Sequence, residues 1–338
     1  MRVAILAHEK FPDEAKSAVG VLRYADHDVV AVLDREQAGN RVNDFLSDVQ
    51  DAPVVESMSA VPDCDALLIG IAPIGGGFDD SWREDVRAAI ERGCDVISGL
   101  HYFLSEDPEF VTLAEDTGVS LRDVRKPPAD LTVAEGTAHE VDAQVVLTVG
   151  TDCSSGKMTA SYELRNAARE RGIDAVVVPT GQTGIMISDW GIAIDRVISD
   201  FAAGAIEQLV REAGDADVVF VEGQGAIVHP AYSGVTTSIL HGAQPDSLVL
   251  CHVAGREHFG GYPDFSFPEL PDYVQLYEDM AAPIADATVD AGMVNTHRME
   301  PDAAEAAISR YGEAIDAPAT DPVRHSADDV LDELLPSS

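Results

Sequence analysis

Residues 145 to 159 read Val-Val-Leu-Thr-Val-Gly-Thr-Asp-Cys-Ser-Ser-Gly-Lys-Met-Thr. An apolar strand delivers Gly150, small polar residues follow, and Gly156-Lys157 opens a helix that runs to Arg171 and stops at Gly172. In that order, successive backbone N–H groups can curl round an oxyanion, the helix N-terminus adds partial positive charge, and Lys157 adds a full one. The chemistry is phosphate binding, by Asp152, Cys153, Ser154, Ser155, Gly156, Lys157, Met158 and Thr159. Met158 stands where a metal-dependent nucleotidase carries the Ser or Thr whose hydroxyl holds Mg²⁺, and Thr159 comes one place late. Phosphate is therefore expected here and a metal is not.

A second strand, Asp217 to Val221, ends in Glu222-Gly223-Gln224-Gly225. An acid at the end of an apolar strand near a P-loop is the Walker B arrangement, in which the carboxylate polarises water or holds a metal. Glu222 could equally take a proton from an attacking amine, and His229 is a second candidate base. Lys157 completes the catalytic set. The glycine-rich segment Pro179-Thr180-Gly181-Gln182-Thr183-Gly184 offers Gln182 and Thr183 as a further wall of the cleft, with Gly223 and Gln224 opposite. The alternative is that Glu222 is a solvated strand end and His229 a packing residue.

These groups must be positioned by alternating strands and helices. Strands at 2–7 and 29–33 flank a helix around Lys16 to Ala25, and Asp34 ends the second strand as an acid does in a dinucleotide-binding fold. The turn after the first strand, Ala7-His8-Glu9-Lys10-Phe11-Pro12, has no glycine, so the usual pyrophosphate contact is missing. Further strands are expected at 54–55, 65–70, 95–98 and 119–124. The strand at 65–70 runs into Gly75-Gly76-Gly77, past its carboxyl end, where open α/β sheets hold ligands. Arg125 and Lys126 follow the last and suit a carboxylate or phosphate; Arg23 is a further candidate. The fold class is α/β: two doubly wound domains, a Rossmann-like one at 1–130 and a P-loop NTPase-like one at 131–338.

The chain has 338 residues and 46% apolar content, enough for two cores. No apolar run approaches the ~18 residues of a membrane span, and the N-terminus lacks a signal-peptide pattern, so a cytoplasmic protein is expected, with no membrane partner. Four scattered cysteines fit a reducing compartment. The net charge is −38, from 60 acidic and 22 basic residues spread end to end. That makes nucleic acid an unsuitable partner and marks a halophilic composition. The turn-rich region 252–263 suits the symmetric contact of a homo-oligomer.

Several segments together resemble one family: Lys16 to Tyr24, Gly70-Ile-Ala-Pro-Ile-Gly-Gly76, Ser98-Gly-Leu-His101, Asp123-Val-Arg-Lys-Pro127, Gly150 to Thr159, Thr180 to Gly184 and Glu222-Gly-Gln-Gly225. This is the group catalogued as a domain of unknown function, among whose members are the DgcN-type D-glutamate N-acetyltransferases. The loop spacing, with one residue more between Gly150 and Gly156 than the usual motif, also resembles dethiobiotin synthetase. The family resemblance implies transfer of acetyl from acetyl-CoA to the amine of D-glutamate or a similar amino acid. It further implies that the P-loop and Lys157 hold a CoA phosphate without metal, with Glu222 or His229 as base. Arg23, Gly75, Gly76, Arg125, Lys126, Gln182, Thr183, Gly223 and Gln224 would then meet the substrate. A P-loop ATPase or kinase, a nicotinamide-dependent epimerase or dehydratase-like protein, and a non-catalytic nucleotide sensor are the rivals.

Self-repulsion of so many like charges weakens as the Debye length falls from ~8 Å at physiological ionic strength to ~3 Å at 1 M. Scanning calorimetry in KCl is expected to show the melting temperature rising by several degrees over that range; an unchanged value contradicts the reading of the charge.

Overall fold

Runs of Val, Ile and Leu without polar alternation must be covered on both faces, and here they form parallel sheets flanked by helices. The structure, a computed structural model, describes residues 1–73 and 75–335. Ile74, part of the glycine-rich motif noted above, lies outside the described residues. The chain divides into two units, Met1–Pro127 with Gly181–Arg196, and Pro128–Thr180 with Val197–Ser338.

The first unit is built in the order β1 (Arg2–Leu6), α1 (Lys16–Tyr24), β2 (Asp28–Leu33), β3 (Val54–Val55), β4 (Ala66–Ile69), α2 (Arg83–Glu91), β5 (Asp95–Ser98), α3 (Pro108–Thr117) and β6 (Leu121–Asp123). Its sheet order, β3-β2-β1-β4-β5-β6, is that of the Rossmann fold. The switch point between β1 and β4 is closed by the protein itself. A Cβ on Gly70 would lie 2.5 Å from Ile5 Cγ2 and 2.8 Å from Ala18 Cβ, so α1 sits directly on the end of β4. Asp34 is equally committed: its carboxylate accepts the amides of Lys10, Phe11, Glu36 and Gln37 at 2.9–3.3 Å. The acid that would hold a ribose in a dinucleotide-binding protein here organises its own loops.

The second unit continues with β7 (Gln144–Gly150), α4 (Lys157–Glu170) and β8 (Ala175–Val178). The next helix, α5 (Gln182–Ser188), clusters with the first unit, where Thr183 Oγ1 and Ser17 Oγ are 2.8 Å apart. The segment read from sequence as a glycine loop is therefore a helix from Gln182 onward, because Thr183 to Ile187 bury against α1. Back in the second unit come α6 (Ser199–Glu212), β9 (Val218–Val221), α7 (Ser233–Ala243), β10 (Ser247–Val253), the hairpin β11 (His258–Phe259) and β12 (Tyr262–Ser266), and α8 (Leu270–Ala281). The unit ends with β13 (Thr288–Asn295), α9 (Pro301–Ile315), β14 (Ala319–Thr320) and α10 (Asp328–Leu334). Its parallel sheet runs β14-β13-β10-β7-β9-β8 and places β7 between β10 and β9. No described helix is long and apolar enough to cross a membrane.

The carboxyl end of β7 is pinned from outside the sheet. The fully buried Tyr277 hydroxyl on α8 donates to Gly150 O at 2.7 Å and accepts the amides of Gly150 and Ile227 at 3.3 and 3.0 Å. One turn earlier, Tyr273 donates to Thr151 O at 2.8 Å. On the other flank Gly223 touches the strand so closely that a Cβ would lie 1.8 Å from Thr148 O.

Tyr277→Phe strands at least two buried backbone groups, each worth about 1–3 kcal/mol when unpaired. Urea unfolding is expected to show a loss of about 2 kcal/mol or more; a loss below about 0.5 kcal/mol contradicts the pinning role.

Candidate functional site

Beyond Gly150 the backbone bends through Ser154 (φ 52°) and Gly156 (φ 101°), both left-handed, before α4 begins at Lys157. Among the described residues the amides of Ser154, Ser155 and Gly156 bond to no other part of the chain. Such a concave run of N–H groups at a helix N-terminus is an anion seat. Lys157 is buried and folds over it, with Nζ 2.8 Å from Asp152 O, 2.8 Å from Gly225 O and 3.2 Å from Ser155 Oγ. Gly150 is required for this packing, since a Cβ would lie 2.5 Å from Ser155 Oγ and 3.0 Å from Lys157 Nζ. Met158 is buried in the first turn of α4, where a thioether offers a hard cation nothing.

Asp152 braces the loop from behind. Its Oδ2 accepts Arg256 Nη1 at 3.0 Å and the Gly260 amide at 2.9 Å, and its Oδ1 accepts the Cys153 amide at 2.7 Å. Arg256 also donates to Cys153 O at 3.0 Å, tying the segment before the β11–β12 hairpin to the loop. His229 Nδ1 accepts the Ala231 amide at 3.1 Å, which leaves the hydrogen of a neutral ring on Nε2. That nitrogen lies 3.4 Å from Asp152 Oδ1 but is not aligned as a hydrogen bond. Burial lowers the His229 pKa, and Lys157 acts in the same sense against the opposing pull of Asp152. The ring is boxed by Tyr232, Phe259 and Tyr262, with centroids 4.7–5.3 Å away. Asp152, Cys153 and His229 present donor atoms within 4.8 Å of one another, a metal-like grouping. Within this set Asp152 is already paired with Arg256, 3.0 Å away.

Glu222 is buried beyond β9. Its Oε2 accepts the Thr180 amide at 3.2 Å, and its carbonyl accepts the Thr180 hydroxyl at 2.6 Å. Gln224 Nε2 donates to Thr180 O, and the Gln224 carbonyl accepts Thr236 Oγ1 at 2.7 Å. The four residues Thr180, Glu222, Gly223 and Gln224 thus form one braced edge beside the P-loop lysine.

The other residues singled out from sequence fall together in the first unit. Gly75 and Gly76 are left-handed (φ 85° and 62°), and Arg23 is half-buried with its Nε unpartnered. Lys126 is engaged at the surface by Ser105 and Glu106, each 3.2 Å away, and lies over Phe103. Arg125 is buried, donating to Gly99 O at 2.6 Å and pairing with Asp195. Gln182 and Thr183 open α5, with Gln182 against Gly99. Sequence reading passed over the tyrosines of α8, Asp195 and Arg196. The Pro271-Asp272-Tyr273…Tyr277 spacing marks a helix start with both rings on one face, but not what they bind.

Fold and loop define an α/β protein with a Rossmann-like first part and a P-loop second part. Residues 35–127 match the family described as "Domain of unknown function (DUF1611_N) Rossmann-like domain", and residues 132–331 its "(DUF1611_C) P-loop domain". The chain belongs to this family. It is 38% identical over 273 residues to a D-glutamate N-acetyltransferase of Tritonibacter scottomollicae, covering 79% of this chain and 80% of that one. A D-glutamate N-acetyltransferase of Pseudoalteromonas sp. is 38% identical over 270 residues, with the same coverage. The crystal structure of a duf1611 family protein from Anabaena variabilis superposes with a TM-score of 0.94 at 39% identity, covering 99% of both chains.

His252, at the end of β10, bonds Thr151 Oγ1 through Nδ1 at 2.9 Å and stacks on Tyr311. Burial, then Arg256, pushes its pKa down to about 4. An unfolded histidine titrates near 6.5, so between those values the unfolded chain binds the extra proton and stability falls as pH drops. Melting curves from pH 7 to 4.5 are expected to be less steep in pH for His252→Gln than for the parent; identical slopes contradict this.

Proposed function

We propose that the protein is an N-acetyltransferase that moves acetyl from acetyl-CoA to the amine of D-glutamate or a similar amino acid. The P-loop would grip a CoA phosphate. The observation that carries this is the anion seat at Ser154–Gly156 under Lys157, whose first helical turn offers Met158 where metal-dependent nucleotide chemistry needs a hydroxyl. The names of the two relatives supply the reaction class and the acceptor. Binding a phosphate as an anchor needs charge and N–H donors only, whereas hydrolysing one needs a placed Mg²⁺.

An α-ammonium group must lose a proton before its nitrogen can attack a thioester. The thioester of CoA sits at the far end of a long pantetheine arm from its phosphates. Glu222 and His229 stand at the phosphate end of that donor. His229 has both ring nitrogens turned to its own surroundings, Nδ1 as an acceptor and Nε2 as the protonated one. Their role in this reading is to hold Lys157, Asp152 and the Thr180 edge in shape for the phosphate, and the base lies elsewhere.

Thermal shift in molar salt is the test, with CoA, ATP plus Mg²⁺ and NAD side by side. CoA at a hundredfold excess over Kd is expected to stabilise the protein by about 2.7 kcal/mol, and Lys157→Ala to abolish most of that shift. A shift with ATP and Mg²⁺ only would favour the ATPase or kinase, and one with NAD only the epimerase.

A further inference from the structure

The first unit gathers one polar cluster at the carboxyl ends of its strands, where open α/β sheets hold their ligands. Gly76 follows β4, His101 follows β5 and Arg125 follows β6; Asp195 and Arg196 come from the turn Ile194–Arg196. His101 is fixed by Gly76: its amide donates to Gly76 O at 2.8 Å, and a Cβ on Gly76 would lie 2.2 Å from the imidazole. The left-handed glycine turn is what leaves room for the ring. Among the described residues its nitrogens make no hydrogen bond, and Nε2 lies 3.9 Å from Asp195 Oδ2. Arg125 is held by Gly99 O and Asp195, and the Arg196 guanidinium lies 4.8 Å from the Phe103 ring centroid.

We propose that this cluster is the amino-acid seat, with Arg196 and Arg125 receiving carboxylate and His101 taking the proton from the substrate ammonium. The proposal rests on the acetyltransferase reading and deepens it. Two guanidiniums beside an imidazole attract an anion, and Asp195 is the acid that lies against Arg125 and His101. In a chain of net charge −38, guanidiniums gathered beside an imidazole at the carboxyl ends of the strands suit a carboxylate ligand. Burial, then Arg125 and Arg196, hold the His101 pKa below its ordinary value, so the ring is neutral and able to accept a proton near pH 7. The same groups hold Arg125 itself down to about 10, burial first and Arg196 second.

The step balances as follows. His101 accepts one ammonium proton, and the freed nitrogen lone pair forms the C–N bond at the thioester carbonyl carbon. The C–S bond then breaks, the second nitrogen proton ends on the departing CoA sulfur, and His101 returns its proton to solvent. An acceptor with two carboxylates is favoured because the cluster holds two guanidiniums. The amide analogue D-glutamine lacks the second charge.

Steady-state kinetics on the full chain test this. His101→Ala is expected to lower kcat about 10²-fold or more, with KM for D-glutamate changed only a few-fold, and to remove the acidic limb of the kcat/KM profile. Added imidazole should restore part of the rate. Arg196→Gln is expected to raise KM for D-glutamate about tenfold or more and to change that for D-glutamine little. If His101→Ala unfolds, His101→Gln serves, with circular dichroism as the check. A His101 variant within threefold of the parent kcat, with its acidic limb intact, overturns the proposal while leaving the acetyltransferase reading standing. Should the parent fail to acetylate D-glutamate at all, that reading falls, and calorimetric titration with D-glutamate decides the seat. Weaker binding by Arg196→Gln supports it, and equal binding overturns it.

Discussion

The whole second unit depends on one short piece of backbone held from three sides, the carboxyl end of β7 at Gly150 and Thr151. A phosphate loop works only if its N–H groups converge before the ligand arrives, because ordering them afterwards subtracts from binding. Strand pairing with β10 and β9 fixes the strand itself. Beyond it, the Tyr277 and Tyr273 hydroxyls bond the two carbonyls, and the Thr151 hydroxyl reaches His252. These are buried, directional bonds that replace water for groups a loop would otherwise expose. Gly223 adds the opposite wall, so close that no other residue could stand there.

The first unit shows the same sheet architecture turned to another purpose. Its strand order is that of a dinucleotide-binding fold, yet α1 lies on Gly70 and Asp34 serves the amides of its own loops. A fold of this kind does not by itself define a ligand. What the unit keeps is the general property of open parallel sheets, an outlet at the carboxyl ends of its strands, and there the loops after β4, β5 and β6 bring glycine, histidine and arginine together. With Lys157 at the P-loop of the second unit and Arg125 and Arg196 in the first, each unit carries cations beside the carboxyl ends of its strands.

Much of this was legible in the sequence for a physical reason. Parallel strands buried on both faces read as unbroken apolar runs, and Val145–Val149, Val218–Val221 and Ser247–Cys251 were recognisable as such. The Gly156-Lys157 junction was legible because left-handed backbone beside a helix start demands glycine. The segment from Gln182 was not, since Thr183 and Gly184 look like loop residues until α1 provides the surface that makes a helix of them. Nor could spacing show that Lys126 meets Glu106, or that Arg125 meets Asp195 across 70 positions. Tyr273 and Tyr277 show the same limit: an i,i+4 pair announces a helical face, but the carbonyls they bind lie more than a hundred residues away.

The most direct test of the account is a crystal structure of the protein grown with CoA in the absence of divalent metal. The account predicts a phosphate oxygen within hydrogen-bond distance of the Ser154, Ser155 and Gly156 amides, with Lys157 Nζ turned from Asp152 O towards it. CoA bound with its phosphates elsewhere and this loop unchanged would contradict it.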